Sequence, residues 1–462
     1  MSASARPVPD GMRWMALLSL LLAVFLGSLD QSIANTALPA IGAALQRTPA
    51  ESVWVIHAYQ LAVVAVLLPL ASLGDRWGAR KVFLLGVALF NVAALASACA
   101  TRLEWLAFFR AVQGVGAAGV MSVNLALIQR IFPAEKLGRG AGLNALIVGI
   151  GYSLGPTVAS LLLAVLPWPW LFGLQAPLGL AGWLLARRHL PRAEPAHTDA
   201  PYDRLLALLS AVCFASLVFT LSAVAQQKGA MVVAASLALM LGSGFWLLRR
   251  QRGHAAPVLP VDLMRRPLFS LSVFTSFSSF TTQGLAFVAL PFFFQRQLGR
   301  PAVETGVLMS VWALVVAFMA PVAGPLSDRY PPAILGGVGL GILSLGMAGL
   351  GAMGPEASFA AMALSMALCG VGFGLFQSPN LRAIMASAPA HRTGGASGMV
   401  ALARLTGQAS GAALVALCFN LFGPLGAGRA VMLGAVTAGL GALLSLARLR
   451  ARWATAQEPA NC

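Results

Sequence analysis

Acidic side chains are scarce in this chain. Aspartate and glutamate together number 14 among 462 residues, against 31 lysines and arginines, and all charged residues make up only 10%. A soluble chain of this length carries about 25% charged residues, so a water-soluble globular enzyme is excluded. Cysteine is also sparse. Cys99, Cys213, Cys369 and Cys418 lie inside apolar segments, Cys462 ends the chain, and no CxxC pair occurs. That excludes a disulfide framework and a thiolate zinc site. No GxxxxGK[ST] stretch is present, so nucleotide hydrolysis through a phosphate loop is not expected. No catalytic or metal-ligating constellation and no cofactor motif stands out; the chain does not read as an enzyme. The net charge of +17 is not a nucleic-acid footprint, because the basic residues fall in short clusters between apolar runs.

What is abundant is hydrophobicity, 58% of residues. Apolar segments fall at about 14–40, 51–72, 82–100, 104–128, 140–165 and 168–187. Two more follow a polar link, at about 205–225 and 230–248. Six others run at about 268–294, 303–323, 333–353, 357–378, 395–422 and 428–447. Segments of this length read as transmembrane helices. The expected fold is an all-α membrane protein of fourteen helices. The first begins as a retained helix rather than a cleaved signal, since its most informative residues lie within it.

Charge tests that topology. With both termini cytoplasmic, the outer side receives Arg47, Arg102, Lys228, Arg296, Arg300 and Arg429, and Arg110 and Arg404 fall within spans. Every other lysine and arginine, Arg448 among them, falls on the inner side, as the positive-inside rule expects. The chain also repeats. A shift of 256 superposes Gly114 on Gly370, Gly116 on Gly372, Asn124 on Asn380, Gly151 on Gly407 and Gly155 on Gly411. Asp75-Arg76 recurs as Asp328-Arg329. Two six-helix halves are expected, residues 1–187 and 267–462, with residues 188–266 supplying a linker and two extra helices. Repeated halves place a substrate site between them near the bilayer midplane.

Asp30 is the one acid well inside a span, in Leu29-Asp30-Gln31-Ser32-Ile33-Ala34-Asn35-Thr36-Ala37-Leu38-Pro39. A carboxylate there costs roughly 2.5–3.5 kcal/mol on insertion scales, so a functional role is the default reading. Helical rise puts Asp30 roughly 15 Å below the outer end of its helix and Arg110 roughly 9 Å below the start of the fourth. Both occupy the outer part of the same six-helix unit. A nearby cation favours the charged carboxylate and desolvation favours the neutral acid, so a rearrangement changing either loads or unloads a proton. His57 adds an imidazole in the second helix, read first as a hydrogen-bonded interior histidine and second as another titrating group.

These stretches resemble the major facilitator superfamily, specifically its fourteen-helix drug:proton antiporter branch. The first-helix stretch is similar to that branch's LDxTIVNVALP signature. Leu73-Gly74-Asp75-Arg76-Trp77-Gly78-Ala79-Arg80-Lys81 resembles the loop motif between helices 2 and 3, with Ala71 where a glycine usually leads. Arg110-Ala111-Val112-Gln113-Gly114-Val115-Gly116 resembles the fourth-helix motif. Gly142, Gly151, Gly155 and Pro156 fit the fifth-helix antiporter motif, whose closing glycine pair is Ala159-Ser160 here.

The resemblance implies proton coupling at Asp30 and Arg110. It implies a gate latch at Asp75, Arg76, Arg80, Lys81, Asp328 and Arg329, and a tight helix contact at the motif glycines. Asn35, Gln113, Gln283, Phe287, Asn380 and Arg404 are expected to line the cavity, which suits small amphipathic molecules held loosely. The expected partners are protons, a small-molecule substrate and the lipid bilayer, with the chain acting as a monomer in a bacterial inner membrane. An ion gradient is the expected drive: one charge crossing ~100 mV yields roughly 2.3 kcal/mol. The leading expectation is multidrug efflux. A carrier dedicated to one metabolite, such as an organic acid or natural product, and a sensor that binds without transporting are the alternatives.

Overall fold

A computed structural model describes residues 10–131, 137–191, 203–251, 261–388 and 393–456, and these are helical almost throughout. Hydrocarbon offers no partner to a backbone N–H or C=O, so each segment must satisfy its own. The long helices are α1 (Asp10–Ala44), α2 (Trp54–Trp77), α3 (Ala79–Ala98), α4 (Leu103–Ile131), α5 (Leu137–Val165) and α6 (Gln175–His189). A pair follows, α7 (Arg204–Ala225) and α8 (Ala230–Arg250). The chain continues with α9 (Pro267–Phe292), α10 (Ala302–Arg329), α11 (Pro332–Gly351), α12 (Phe359–Ser387), α13 (Thr393–Phe422) and α14 (Gly426–Ala456).

Among the described residues, twelve stretches are long and apolar enough to cross a bilayer, two fewer than the expected fourteen. The difference has two sources. Helix α6 has only 15 residues, about 22 Å at helical rise, short of the ~30 Å hydrocarbon core. Helices α13 and α14 are joined by one 3-10 turn, Gly423–Leu425, so Gly398–Leu449 runs as a single 52-residue apolar stretch.

Short connections make successive helices antiparallel, giving a near end, where α1 begins, and a far end. Glycines set the closest approaches. A Cβ on Gly86 of α3 would stand 2.8 Å from the Gly116 carbonyl of α4, and one on Gly339 of α11 would stand 2.7 Å from the Gly372 carbonyl of α12. In the same way Gly151 of α5 lies against Phe25 and Leu29 of α1, and Gly407 of α13 against Phe277 and Thr281 of α9. The glycines superposed by the 256-residue shift therefore make matching contacts.

The first six helices and the last six share an apolar core toward the far end. There Ile33, Ala37 and Ile41 of α1 join Phe287 to Phe294, Leu308, Trp312 and Phe419. Toward the near end the cores are separate. Leu17, Leu20, Phe83 and Ile131 form one; Leu263, Phe269, Ile384 and Ala396 form another. Helix α7 packs on this assembly through Phe214, beside Tyr59, Val63 and Leu405. The face of α8 bearing Met231, Leu241, Phe245 and Trp246 is exposed. The pair is tied at its near end by Arg250 Nε donating to Asp203 Oδ2 at 2.6 Å. That hydrogen bond holds the half-buried Asp203 carboxyl below its ordinary range, so the tie persists at neutral pH.

Arg448 corrects the sequence reading. It is not a loop cation but fully buried in α14. It donates to Asn380 Oδ1 at 2.7 Å, Ser272 Oγ at 3.1 Å and the Ser445 carbonyl at 3.2 Å. It also reaches the Ser445 hydroxyl and, at 3.4 Å, the Pro332 carbonyl. One guanidinium thus pins α9, α11, α12 and α14 together. The pattern of basic clusters does not separate such a cation from those that face water.

Close glycine contacts give a stability prediction. Gly86→Leu forces α3 off α4 and destabilises the fold by about 1–3 kcal/mol, the range for overpacking. Gly341→Leu, where nothing lies within 4 Å of a new Cβ, leaves the thermal midpoint of purified protein within a degree or two.

Candidate functional site: a buried ion pair beside a divided cavity

Midway along α1, the Asp30 carboxylate meets the Arg110 guanidinium of α4 with Nη1 to Oδ2 at 2.7 Å, and neither side chain has exposed surface. The other carboxylate oxygen accepts from Gln113 Nε2 at 3.1 Å and Gln175 Nε2 at 3.2 Å. Gln113 sits one turn past Arg110, the spacing that stacks side chains on one helix face, and its Oε1 accepts from Arg110 Nη1 at 2.7 Å. Arg110 Nε donates to the Val55 carbonyl of α2 at 3.4 Å. Its guanidinium lies over the Tyr59 ring at 4.6 Å and the Phe172 ring at 5.3 Å, and its Nη2 has no partner. A buried ion pair is retained only where geometry and added hydrogen bonds offset desolvation; four helices supply those groups here.

Gln175 was not anticipated. It begins α6, after the short helix Trp170–Gly173, and its Nε2 also donates to the Leu171 carbonyl at 2.9 Å. That anchor aims the amide at Asp30. The available signal was slight: Gln175 is the lone amide in the sixth apolar segment.

Two cavities lie beside the pair. One, of about 90 Å³, is bounded by Ala23, Ser28, Phe90, Met121, Val148 and Arg404. The other, of about 20 Å³, is bounded by Asn35, Gln60, Arg110, Gln283 and Phe287. Gln31, Tyr59, Tyr152 and Gln408 line both. They form the partition, closed by a hydrogen bond from the Tyr152 hydroxyl to Gln31 Oε1. Within that partition Gln408 Nε2 of α13 also donates to Gln283 Oε1 of α9 at 2.8 Å. Asp30 lines neither cavity; Arg110 stands between it and the smaller one.

The remaining expected residues divide. Asn35, Gln283, Phe287 and Arg404 line the cavities. Gln113 does not, being bound to the ion pair. Asn380 does not either: its amide serves Arg448, Ser276 Oγ at 2.7 Å and the Ser272 carbonyl at 3.2 Å. His57 is fully buried with no hydrogen-bond partner on either ring nitrogen, contrary to the hydrogen-bonded histidine expected; its neighbour is the edge of Trp54, centroids 6.0 Å apart. An apolar helix–helix seam offers it no acceptor.

At the near end Arg80 reaches the Arg187 carbonyl, Arg76 is half-buried, and Lys81 and Arg329 are exposed. The side chains of Asp75 and Asp328 and the surroundings of Gly142 lie outside the described residues. Gly151 and Gly155 let α5 meet α1 at the level of Asp30, where Ser32 Oγ donates to the Tyr152 carbonyl at 2.9 Å. Past Pro156 the close approach is to α10. Ser160 Oγ donates to the Pro156 carbonyl at 2.7 Å, and the opposing Gly306 leaves room for it. The glycine missing from α5 is thus supplied by its partner helix.

The arrangement of an all-helical membrane protein around a central cavity, with a buried charge pair beside it, defines a polytopic membrane transporter. The chain belongs to the Major Facilitator Superfamily, whose family model matches residues 20–412. It is 43% identical over 447 residues to the uncharacterized transporter YebQ of Escherichia coli (strain K12), covering 97% of each chain. It is 28% identical to the multidrug efflux pump LfrA of Mycolicibacterium smegmatis, covering 88% of this chain and 81% of that one. In three dimensions it is similar to a bacterial homologue of the human lysosomal transporter Spinster in an inward-facing, unoccupied conformation. The TM-score there is 0.69 at 17% identity, covering 98% of this chain and 100% of that one.

Removing one member of the ion pair leaves a buried charge without its counter-ion. Arg110→Met is expected to destabilise the protein by about 3–5 kcal/mol. The double variant Asp30→Asn, Arg110→Met recovers much of that loss. Thermal unfolding of both single variants, the double variant and the parent in one detergent measures the coupling.

Proposed function

We propose that this chain is a proton-coupled exporter of small lipophilic or amphipathic compounds, acting as a monomer in the bacterial inner membrane. Its two six-helix halves, residues 1–187 and 267–462, rock about the cavity between them. Residues 188–266 carry two further crossings, α6 completes its crossing together with the short helix Trp170–Gly173 before it, and both termini lie in the cytoplasm. The observation that carries this reading is the Asp30–Arg110 pair, fully buried and adjoining the cavity. Ionisable residues within a membrane mark substrate and ion pathways and proton relays.

On this orientation the far end is periplasmic. The shared core there and the separate cores at the near end favour an inward-facing state. Closing the near end requires the two bundles to meet through Asp75, Arg76, Arg80, Lys81, Asp328 and Arg329. A proton arriving at the Asp30 carboxylate forms the neutral acid and removes the charge that holds Arg110 Nη1. Arg110 also borders the smaller cavity, so its release alters the wall that substrate meets. Loss of the proton restores the pair. The close seam of α5, through Gly151, Gly155 and Pro156, resists leakage during exchange. His57 has no hydrogen-bonded neighbour to pass a proton on, and serves here as packing. The similarity to the multidrug efflux pump LfrA supports multidrug efflux as the form of export.

In inside-out vesicles under an imposed pH gradient, Asp30→Asn is expected to abolish proton-driven accumulation of lipophilic dyes, by at least tenfold, while His57→Gln retains it. Gradient-driven flux in Asp30→Asn equal to that of the parent would remove Asp30 as the proton carrier.

A further inference from the structure

The cavity walls carry cationic groups and no acidic one. The two cavities present Arg404 and Arg110. No aspartate or glutamate lines either, among the described residues. Asp30, the nearest acid, spends both carboxylate oxygens on Arg110, Gln113 and Gln175. Arg110 is therefore already neutralised. Arg404 is not: it makes no hydrogen bond or ion pair among the described residues, although it sits on α13 in the wall of the larger cavity. The rest of that wall is mostly apolar, with Ala23, Leu26, Phe90, Val120 and Met121 around it.

We infer that the larger cavity selects amphipathic organic anions, with Arg404 meeting a carboxylate, sulfonate or phosphate and the apolar wall holding the body of the molecule. An unpaired guanidinium inside a membrane is expensive, and an incoming anion supplies the charge it lacks. A guanidinium offers two parallel N–H donors, which match a planar carboxylate or a sulfonate edge. A lipophilic cation meets the opposite situation, a cavity with unbalanced positive charge and no carboxylate to approach. Arg110 already covers a face of Tyr59, so the rings of Phe90 and Tyr152 are the main attraction left for a cation, and they are worth less than a full counter-charge. The 256-residue shift sets Val148 of α5 against Arg404, so the cation of the larger cavity comes from the last six helices alone. This inference rests on the transport reading above and narrows its substrate class.

The test uses full-length protein in nanodiscs of zwitterionic lipid and three permanently matched probes: naphthalene-2-sulfonate, (2-naphthylmethyl)trimethylammonium and 2-naphthalenemethanol. Equilibrium dialysis is expected to show the sulfonate bound at least about tenfold more tightly than the ammonium. Arg404→Gln is expected to erase that preference while binding of the neutral alcohol, the check on folding, persists. Arg404→Lys retains the preference in part, and Arg404→Glu reverses it. Equal or tighter binding of the ammonium by the parent would overturn the inference, as would a sulfonate preference unchanged in Arg404→Gln. Proteoliposomes carrying the same proteins separate the two readings. A parent that binds the sulfonate selectively but moves no probe under a pH gradient upholds the anion site and removes the exporter. A parent that moves the ammonium or alcohol under the gradient with no anion preference upholds the exporter and removes the anion site.

Discussion

The structure depends on one electrostatic constraint: a carboxylate and a guanidinium share a site with no exposed surface. Low dielectric makes their attraction strong and their separate burial expensive in the same proportion. Everything packed around them follows from that balance. Gln113 must stand one turn from Arg110 to occupy the second carboxylate oxygen, and Gln175 must arrive from another helix to share it. The sixth helix is interrupted just before Gln175, which shortens α6 below an ordinary membrane span. Glycines on α5 bring that helix onto α1 at the same depth. The irregularities of the first six helices cluster around the pair.

A second constraint comes from the partition between the cavities. Gln31 follows Asp30 in sequence and is turned about 100° from it around the helix, where its Oε1 accepts from the Tyr152 hydroxyl. The residue that serves the ion pair and the residue that divides the cavity are thus rigidly coupled through one turn of α1. Any rotation of α1 that disturbs Asp30 also moves Gln31. On the proposed reading, this is how a proton at one place is felt at another without a chain of intervening contacts: a single rigid helix carries both groups.

Much of this was legible in the sequence, for stated reasons. Asp30 and Arg110 announce themselves because charge within a long apolar run is expensive and so rarely incidental. The glycine spacing carried the correspondence between the first and last six helices, because a Cβ at those positions strikes a neighbouring backbone. Amides were harder to assign. Gln113 and Asn380 are polar residues within spans, as cavity-lining groups are, yet both are consumed by buried arginines. Composition reveals that an amide is buried but not which buried charge claims it. Arg448 was misplaced for the same reason: it sits near a helix end, where most arginines reach water, and three-dimensional packing alone shows it enclosed. Ala159-Ser160 stands where the resembled motif closes on a glycine pair. That departure is compensated across the interface by Gly306, and compensation on a partner helix 146 positions away has no local signature.

The two groups of six helices share geometry but not charge. The 256-residue shift sets Ala286 against Asp30 and Met366 against Arg110, and sets Arg404 against Val148. The glycine contacts that fix helix spacing are held in common, whereas the ionisable groups at the cavity are each present once. A symmetric pair of carboxylates would have required two desolvated charges and two sets of amide partners. One pair suffices if the second group of helices serves as the wall against which the first moves. Arg404 then stands where the moving helix α1 and the fixed wall face each other across the cavity. A substrate anion between them would be held by the last six helices while the first six exchange their proton, so that the two ligands act on opposite sides of the same interface.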